Sequence, residues 1–131
     1  MPMEAIAAQM NTNFLGSVHV IKAVLPVMRK RGAGRIIQLS SIGARIATPG
    51  VAGYFATKWA IAGFLESLAM EVAPLGISVT AFEPAGMKTD FVDASSMTIY
   101  PSSASSYELS KGAAHARFEA DERWKELTMQ A

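Results

Sequence analysis

The feature that most limits the fold is a pair of short runs, RIIQL at residues 35–39 and ISVTAF at residues 77–82, separated by one long stretch of helical periodicity. Each run has the length of a strand, is apolar or β-branched at its centre, and is bounded by turn-forming residues: Gly34, the Ser40 and Ser41 pair, Gly76 and Pro84. From about residue 53 to residue 74, Phe55, Trp59, Ala62, Leu65, Leu68 and Val72 recur at steps of three and four, which predicts a helix of about 20 residues. Strand, helix and strand of these lengths form a βαβ unit with parallel strands and a right-handed crossover. In such sheets chemistry gathers beyond the carboxyl ends of the strands. That rule selects Ser40 and Ser41 after the first strand and residues 83–89 after the second.

Upstream, from about residue 2 to residue 30, Phe14, Val18, Ile21 and Leu25 form an apolar stripe that Gly32 and Gly34 end. This is one long helix, or two broken near Asn11. Pro26 lacks an amide hydrogen, so a kink or an early end near Leu25 is expected. The run Arg29, Lys30, Arg31 suits the negative end of a helix better than it suits an anionic ligand. In the central helix Ala56, Ala60, Gly63 and Ser67 are small and share one side, where another backbone could approach closely, although that side could equally face the sheet. Residues 94–110 contain seven serines and one proline and read as a loop or lid, and residues 111–130 read as a charged amphipathic helix.

Composition excludes several classes of function. The 131 residues carry 12 Lys and Arg against 11 Asp and Glu, a net charge of +1, which is no footprint for nucleic acid. With no cysteine and two isolated histidines, His19 and His115, no metal centre is expected. No run approaches the ~18 apolar residues of a membrane span, and the N-terminus has no signal-peptide pattern. A soluble cytoplasmic protein acting on small molecules is the expectation.

Tyr54 and Lys58 lie four residues apart at the start of the central helix, which stacks them on one face. At about 4 Å and an effective dielectric of about 20, an ammonium favours a phenolate by roughly 4 kcal/mol, about three pKa units, bringing a phenol of pKa ~10 toward neutrality. Such a phenol serves as a general acid in carbonyl reduction and as a general base in alcohol oxidation. Ser41, at the end of the preceding strand, could hydrogen-bond the same substrate oxygen.

A tyrosine and lysine four apart are usually just a surface pair, and the surrounding wording adds what the pair lacks. GRIIQLSSIG, then YFATK, then ISVTAFEPAGMKT resembles the short-chain dehydrogenase/reductase family in order, spacing and structural setting, from about Asn11 to Phe91. The resemblance implies an NAD(P)-dependent oxidoreductase that interconverts a carbonyl and an alcohol. It makes Tyr54 the acid/base, Lys58 its partner and a ribose ligand, and Ser41, which keeps the family's interval to the tyrosine where Ser40 does not, the orienting hydroxyl. Asn13 resembles the asparagine that holds a relay water. Tyr54, Lys58, Pro84, Ala85, Gly86 and Thr89 become cofactor contacts. Ala85 departs from the family pattern, which has glycine there. A methyl group then enters a turn that packs against the cofactor and could need a glycine conformation, so weaker cofactor binding is expected.

The implied fold class is α/β: a partial Rossmann-like, doubly wound parallel sheet of three α/β/α layers, lacking its N-terminal nucleotide-binding strands. Residues 1–131 then form the C-terminal catalytic portion, with a core over about 1–91 and a substrate lid or variable region over about 92–131. The family's glycine-rich turn, and the residue that selects NAD or NADP, do not occur in this sequence, so the choice between the two cofactors is undetermined. The expectation is therefore a truncated chain, inactive alone. Its alternatives are a non-catalytic remnant or subunit acting by helix-mediated association and, less favoured by the YFATK wording, an epimerase or dehydratase. The resemblance also implies a homo-oligomer, dimer or tetramer, with a small carbonyl or alcohol as substrate.

Overall fold

The computed structural model describes residues 1–47 and 50–87. The expected loop or lid and last helix, with Thr89, lie outside them. Met1–Ala47 and Ala52–Pro84 form one compact unit, and of the other described residues Gly50, Val51 and Ala85–Met87 belong to a second.

The first unit opens with a helical rod in three parts: α1 (Met3–Gln9), a π-helical segment (Met10–Leu15) and α2 (Gly16–Arg31). The junction residues Met10 and Gly16 keep right-handed helical angles, so the break anticipated near Asn11 is a widened turn inside a continuous helix. The Gly16 amide donates to the Asn11 carbonyl, five residues back, as π geometry requires. Pro26 does not end the helix. It lies on the exposed side of α2, as does Lys22, so the carbonyl that loses its partner faces water. The helix runs on to Arg31 and stops at Gly32 in the left-handed region, φ 66°. Gly32 and Ala33 donate back to the carbonyls of Arg29 and Met28 at 3.2 and 3.3 Å, the paired bonds of a Schellman cap. Arg29, Lys30 and Arg31 occupy the last turn, where the dipole favours cations.

Strand β1 (Gly34–Leu39) leads through a 3-10 turn (Ile42–Ala44) into α3 (Ala52–Val72), a second 3-10 turn (Ala73–Leu75) and β2 (Ile77–Phe82). The strands are parallel, in register from Gly34 opposite Ile77 to Leu39 opposite Phe82. One face of the sheet carries Ile36, Ile77, Val79 and Ala81, and these meet Ile21 of α2 and Ile61, Leu65, Leu68 and Val72 of α3 in a single core. Phe14 joins it through an edge-to-face contact with Phe64, the ring centroids 6.1 Å apart. The other face presents Arg35, Ile37, Leu39, Ser78, Thr80 and Phe82 to solvent. The fold is α/β with a parallel sheet, Rossmann-like in its βαβ core. Among the described residues no helix is long and apolar enough to cross a membrane, and no group of three or more His, Cys, Asp or Glu could hold a metal.

The small-residue side of α3 faces outward: Ala56, Gly63 and Ser67 are exposed, and a Cβ built on Gly63 meets no atom within 4 Å.

Candidate active site

Tyr54 stands in the first turn of α3 and Lys58 one turn later, both half-buried. The Lys58 Nζ lies 5.6 Å from the centroid of the Tyr54 ring, within cation–π range. Burial lowers the pKa of Lys58 below its ordinary value, because desolvation disfavours the charged form. Among the described residues Lys58 forms no ion pair. Its donors remain available to a hydroxyl-bearing ligand.

Ser41 follows β1 in extended conformation, and its Oγ accepts from the Gly43 amide at 3.0 Å, capping the 3-10 turn. With that acceptor site engaged, the hydroxyl proton is the group left to offer a substrate oxygen. The turn is pressed onto α3: a Cβ on Gly43 would come within 2.7 Å of the Phe55 ring. Glycine therefore allows the serine turn to sit against the residue next to Tyr54. Ser40 is buried, with its amide bonded to the Phe82 carbonyl at 2.7 Å.

Asn13 lies in the π segment, and its carbonyl accepts from the Ser17 hydroxyl at 3.1 Å. Its Nδ2 donates to the Thr57 hydroxyl at 3.2 Å, and that hydroxyl donates in turn to the Tyr54 carbonyl at 2.7 Å. Thr57 is fully buried. It joins the helix of Asn13 to the helix of Tyr54, and sequence reasoning did not single it out. The available sign was a polar, β-branched residue directly before Lys58 on an otherwise apolar helix face.

A second missed residue is Arg45, at the end of the serine turn. Its Nε donates to both carboxylate oxygens of Glu83, and its Nη1 to Glu66. These acceptors hold its pKa above the ordinary value, Glu83 most strongly. Pro84 follows Glu83, and its carbonyl accepts from the Ile42 amide at 3.0 Å. The structure thus ties Asn13 through Thr57 to the helix that carries Tyr54 and Lys58, and packs the turn that carries Ser41 onto Phe55. Ala85 and Gly86 belong to the second unit. No non-glycine residue among those described has a positive φ. Ala85 therefore holds a backbone open to any residue, and the conformational part of the objection to alanine falls away.

A parallel βαβ core with hydroxyl, phenol and amine groups at the carboxyl end of its first strand and the head of its helix defines a Rossmann-like α/β protein. The chain belongs to the short chain dehydrogenase family, whose model matches residues 1–99. It is 43% identical over 111 residues to the oxidoreductase BOA17 of Botryotinia fuckeliana, an alignment that covers 85% of this chain and 40% of that protein. With 3-ketodihydrosphingosine reductase of Bacteroides thetaiotaomicron it shares 47% identity over 90 residues, 69% of this chain and 34% of the reductase. Among solved structures, a short-chain dehydrogenase from Streptomyces avermitilis superposes with a TM-score of 0.73 at 28% identity, covering 88% of this chain and 42% of that one. A gluconate 5-dehydrogenase from Burkholderia cenocepacia, in complex with NADP and tartrate, gives 0.67 at 29% identity over 73% of this chain and 40% of its own. The chain thus spans 34% to 42% of the length of these relatives.

Proposed function

We propose that this chain supplies the proton-transfer part of an NAD(P)-dependent oxidoreductase that interconverts a small carbonyl compound and its alcohol. The observation that carries the reading is the placement of Tyr54 and Lys58 on successive turns of α3, beside a serine turn packed onto Phe55. In the reducing direction Ser41 donates a hydrogen bond to the substrate carbonyl oxygen and orients it. The O–H bond of Tyr54 breaks, and its proton passes to that oxygen as the alcohol forms. In oxidation the same proton returns to Tyr54. Lys58 stabilises the phenolate by charge, and Asn13, held by Thr57, steadies the relay that restores the proton.

A half-buried amine without an ion-pair partner among the described residues fits a sugar hydroxyl pair. Lys58 and Tyr54 would hold a nicotinamide ribose, and Pro84, Ala85, Gly86 and Thr89 would meet the nicotinamide itself. The bound nicotinamide supplies or receives the hydride.

A relative that reduces 3-ketodihydrosphingosine and a structural neighbour that acts on gluconate support a carbonyl or alcohol substrate without choosing between these chemistries. The outward small-residue side of α3 supports a homo-oligomer, dimer or tetramer, that associates through its helices. It equally favours a second reading, a non-catalytic subunit that associates in the same way. Light scattering reads the oligomer, and turnover once nucleotide-binding residues are supplied separates the two readings; a strong nicotinamide fluorescence change on titrating this chain alone into NADH or NADPH would show that it binds the cofactor unaided.

Because the glycine-rich pyrophosphate turn is not in this sequence, we expect little fluorescence change with this chain alone and turnover only when nucleotide-binding residues are supplied. In that active form Tyr54→Phe should lower kcat at least ~100-fold, the scale of general acid–base catalysis, with nucleotide binding nearly intact. Lys58→Ala should weaken both. An unchanged rate in Tyr54→Phe removes the proton-transfer assignment.

A further inference from the structure

Arg45 makes the ion pairs seen among the described residues, and it makes them across three elements. Its Nε reaches Glu83 Oε1 and Oε2 at 3.2 and 3.0 Å, and its Nη1 reaches Glu66 Oε1 at 3.1 Å. Arg45 closes the serine turn, Glu83 follows β2, and Glu66 lies on the exposed side of α3. The same strand ends are stitched by two backbone bonds, Ser40 to Phe82 and Ile42 to Pro84. Past the Ile42 bond, the Arg45 fork is the remaining hydrogen-bonded tie between the serine turn and the segment after β2 within the first unit. Exposed ion pairs contribute little to stability, but here one Nε–H is shared between the two Glu83 oxygens while Nη1 holds Glu66, and donors spread over two carboxylates fix the direction of the guanidinium as well as its distance.

We propose that Arg45 is a positioning residue for the candidate site: its fork to Glu83, braced by Glu66, holds the serine turn in register with the Glu83 and Pro84 segment and so sets where the Ser41 hydroxyl points. The functional weight of this inference rests on reading Ser41 as the substrate-facing hydroxyl. The mechanical part does not. Gly43 lies two residues from Arg45 and donates its amide to Ser41 Oγ, so the Gly43 amide resonance reports the serine hydroxyl directly. Lysine at position 45 keeps the charge and loses the fork.

The test uses the whole 131-residue chain, labelled with nitrogen-15. Arg45→Gln should shift the Gly43 amide resonance and speed hydrogen exchange at Ile42 roughly tenfold, while the core amides of Leu65 and Leu68 keep their rates. Glu83→Gln should reproduce this and also move the Arg45 Nε–H resonance, and Arg45→Lys should restore part of the Gly43 shift. Unchanged Gly43 and Ile42 signals would overturn the proposal. So would acceleration at Ile42 matched by the same factor at Leu65 and Leu68, which marks a general loss of stability. Should Arg45→Gln fail to fold, Glu66→Gln removes only the brace: a smaller Gly43 shift supports the proposal, and none overturns it. Turnover enters none of these measurements. An unchanged rate in Tyr54→Phe would sink the proton-transfer reading while leaving the Gly43 result standing.

Discussion

Lys58 and Thr57 are adjacent, and the structure asks opposite things of them. Lys58 is half-buried with its pKa lowered by desolvation, so the folded state binds its proton less tightly than the unfolded chain does. Stability therefore rises with pH between the lowered folded value and the ordinary 10.5, and below that window the cation is a constant burden. Lys58→Met should raise the midpoint of thermal unfolding at pH 7, and the gain over the parent should shrink as the pH approaches the ordinary lysine value. A gain that persists undiminished at high pH would mean that the methionine acts by packing. The same variant should lose turnover in the active form, which is the pattern of a residue kept for chemistry at the expense of stability. Thr57 is the reverse, a fully buried hydroxyl with both its donor and acceptor roles filled. Thr57→Val keeps the volume and strands the Asn13 amide, so it should cost about 1–3 kcal/mol in urea unfolding. Loss of under about 0.5 kcal/mol would show that water replaces the hydroxyl. The motif residues Ser41, Tyr54 and Lys58 were legible because their spacing is local. Thr57 and Arg45 were not, because their partners lie 44, 21 and 38 residues away and nothing in periodicity encodes such a meeting.

At the scale of elements, β2 occupies residues 77–82 as its β-branched pattern required, β1 extends the anticipated run by one residue to Gly34, and α3 ends at Val72 before a 3-10 turn containing Pro74. Alternation and helical period sufficed where one face is buried. The early helix end expected at Pro26 does not occur: α2 runs on to Arg31, with the proline on its exposed side. Helical period also missed the π turn, since the bond that defines it, from the Gly16 amide to the Asn11 carbonyl, is a backbone detail that side-chain periodicity does not encode. Two glycines test the packing of these elements. Gly76 holds φ 73°, and a Cβ on it would collide with the Gly32 carbonyl, where the turn before β2 crosses the turn before β1. Gly76→Ala combines left-handed strain of about 1–2 kcal/mol with that clash, so unfolding should become easier by at least that amount. Gly63 has open space and helical angles. Gly63→Ala should therefore stabilise the isolated chain by about 0.5–1 kcal/mol. If a partner helix packs there, the same change should instead weaken association, and light scattering across a dilution series tells the two apart.

The whole chain presents a sheet that is half-dressed among the described residues. Parallel sheets are ordinarily covered on both faces, and here α2 and α3 cover the face of Ile36 and Ile77, while Ile37, Leu39 and Phe82 stand 67%, 56% and 56% exposed on the other. Leu39 and Phe82 are register partners, so the three side chains form a contiguous apolar patch rather than scattered residues. The sequence showed both strands as apolar runs, but not which of their faces α2 and α3 would take, since alternation is weak where both sides are hydrophobic. A patch of this kind on parallel strands favours association in water. We expect the 131-residue chain to self-associate with rising concentration, more strongly in sulfate, which strengthens apolar burial. Ile37→Thr combined with Phe82→Thr places β-branched, strand-compatible side chains at both positions and removes much of the apolar area. Because both positions are exposed, the double change should alter unfolding free energy by no more than about 0.5 kcal/mol per site. Its weight-average mass by light scattering should fall toward the monomer value. If association is undiminished while stability is unchanged, the contact lies elsewhere, and the outward small-residue side of α3 becomes the surface to mutate next. If stability instead drops by several kcal/mol, the patch is covered in solution and the double variant has opened a core.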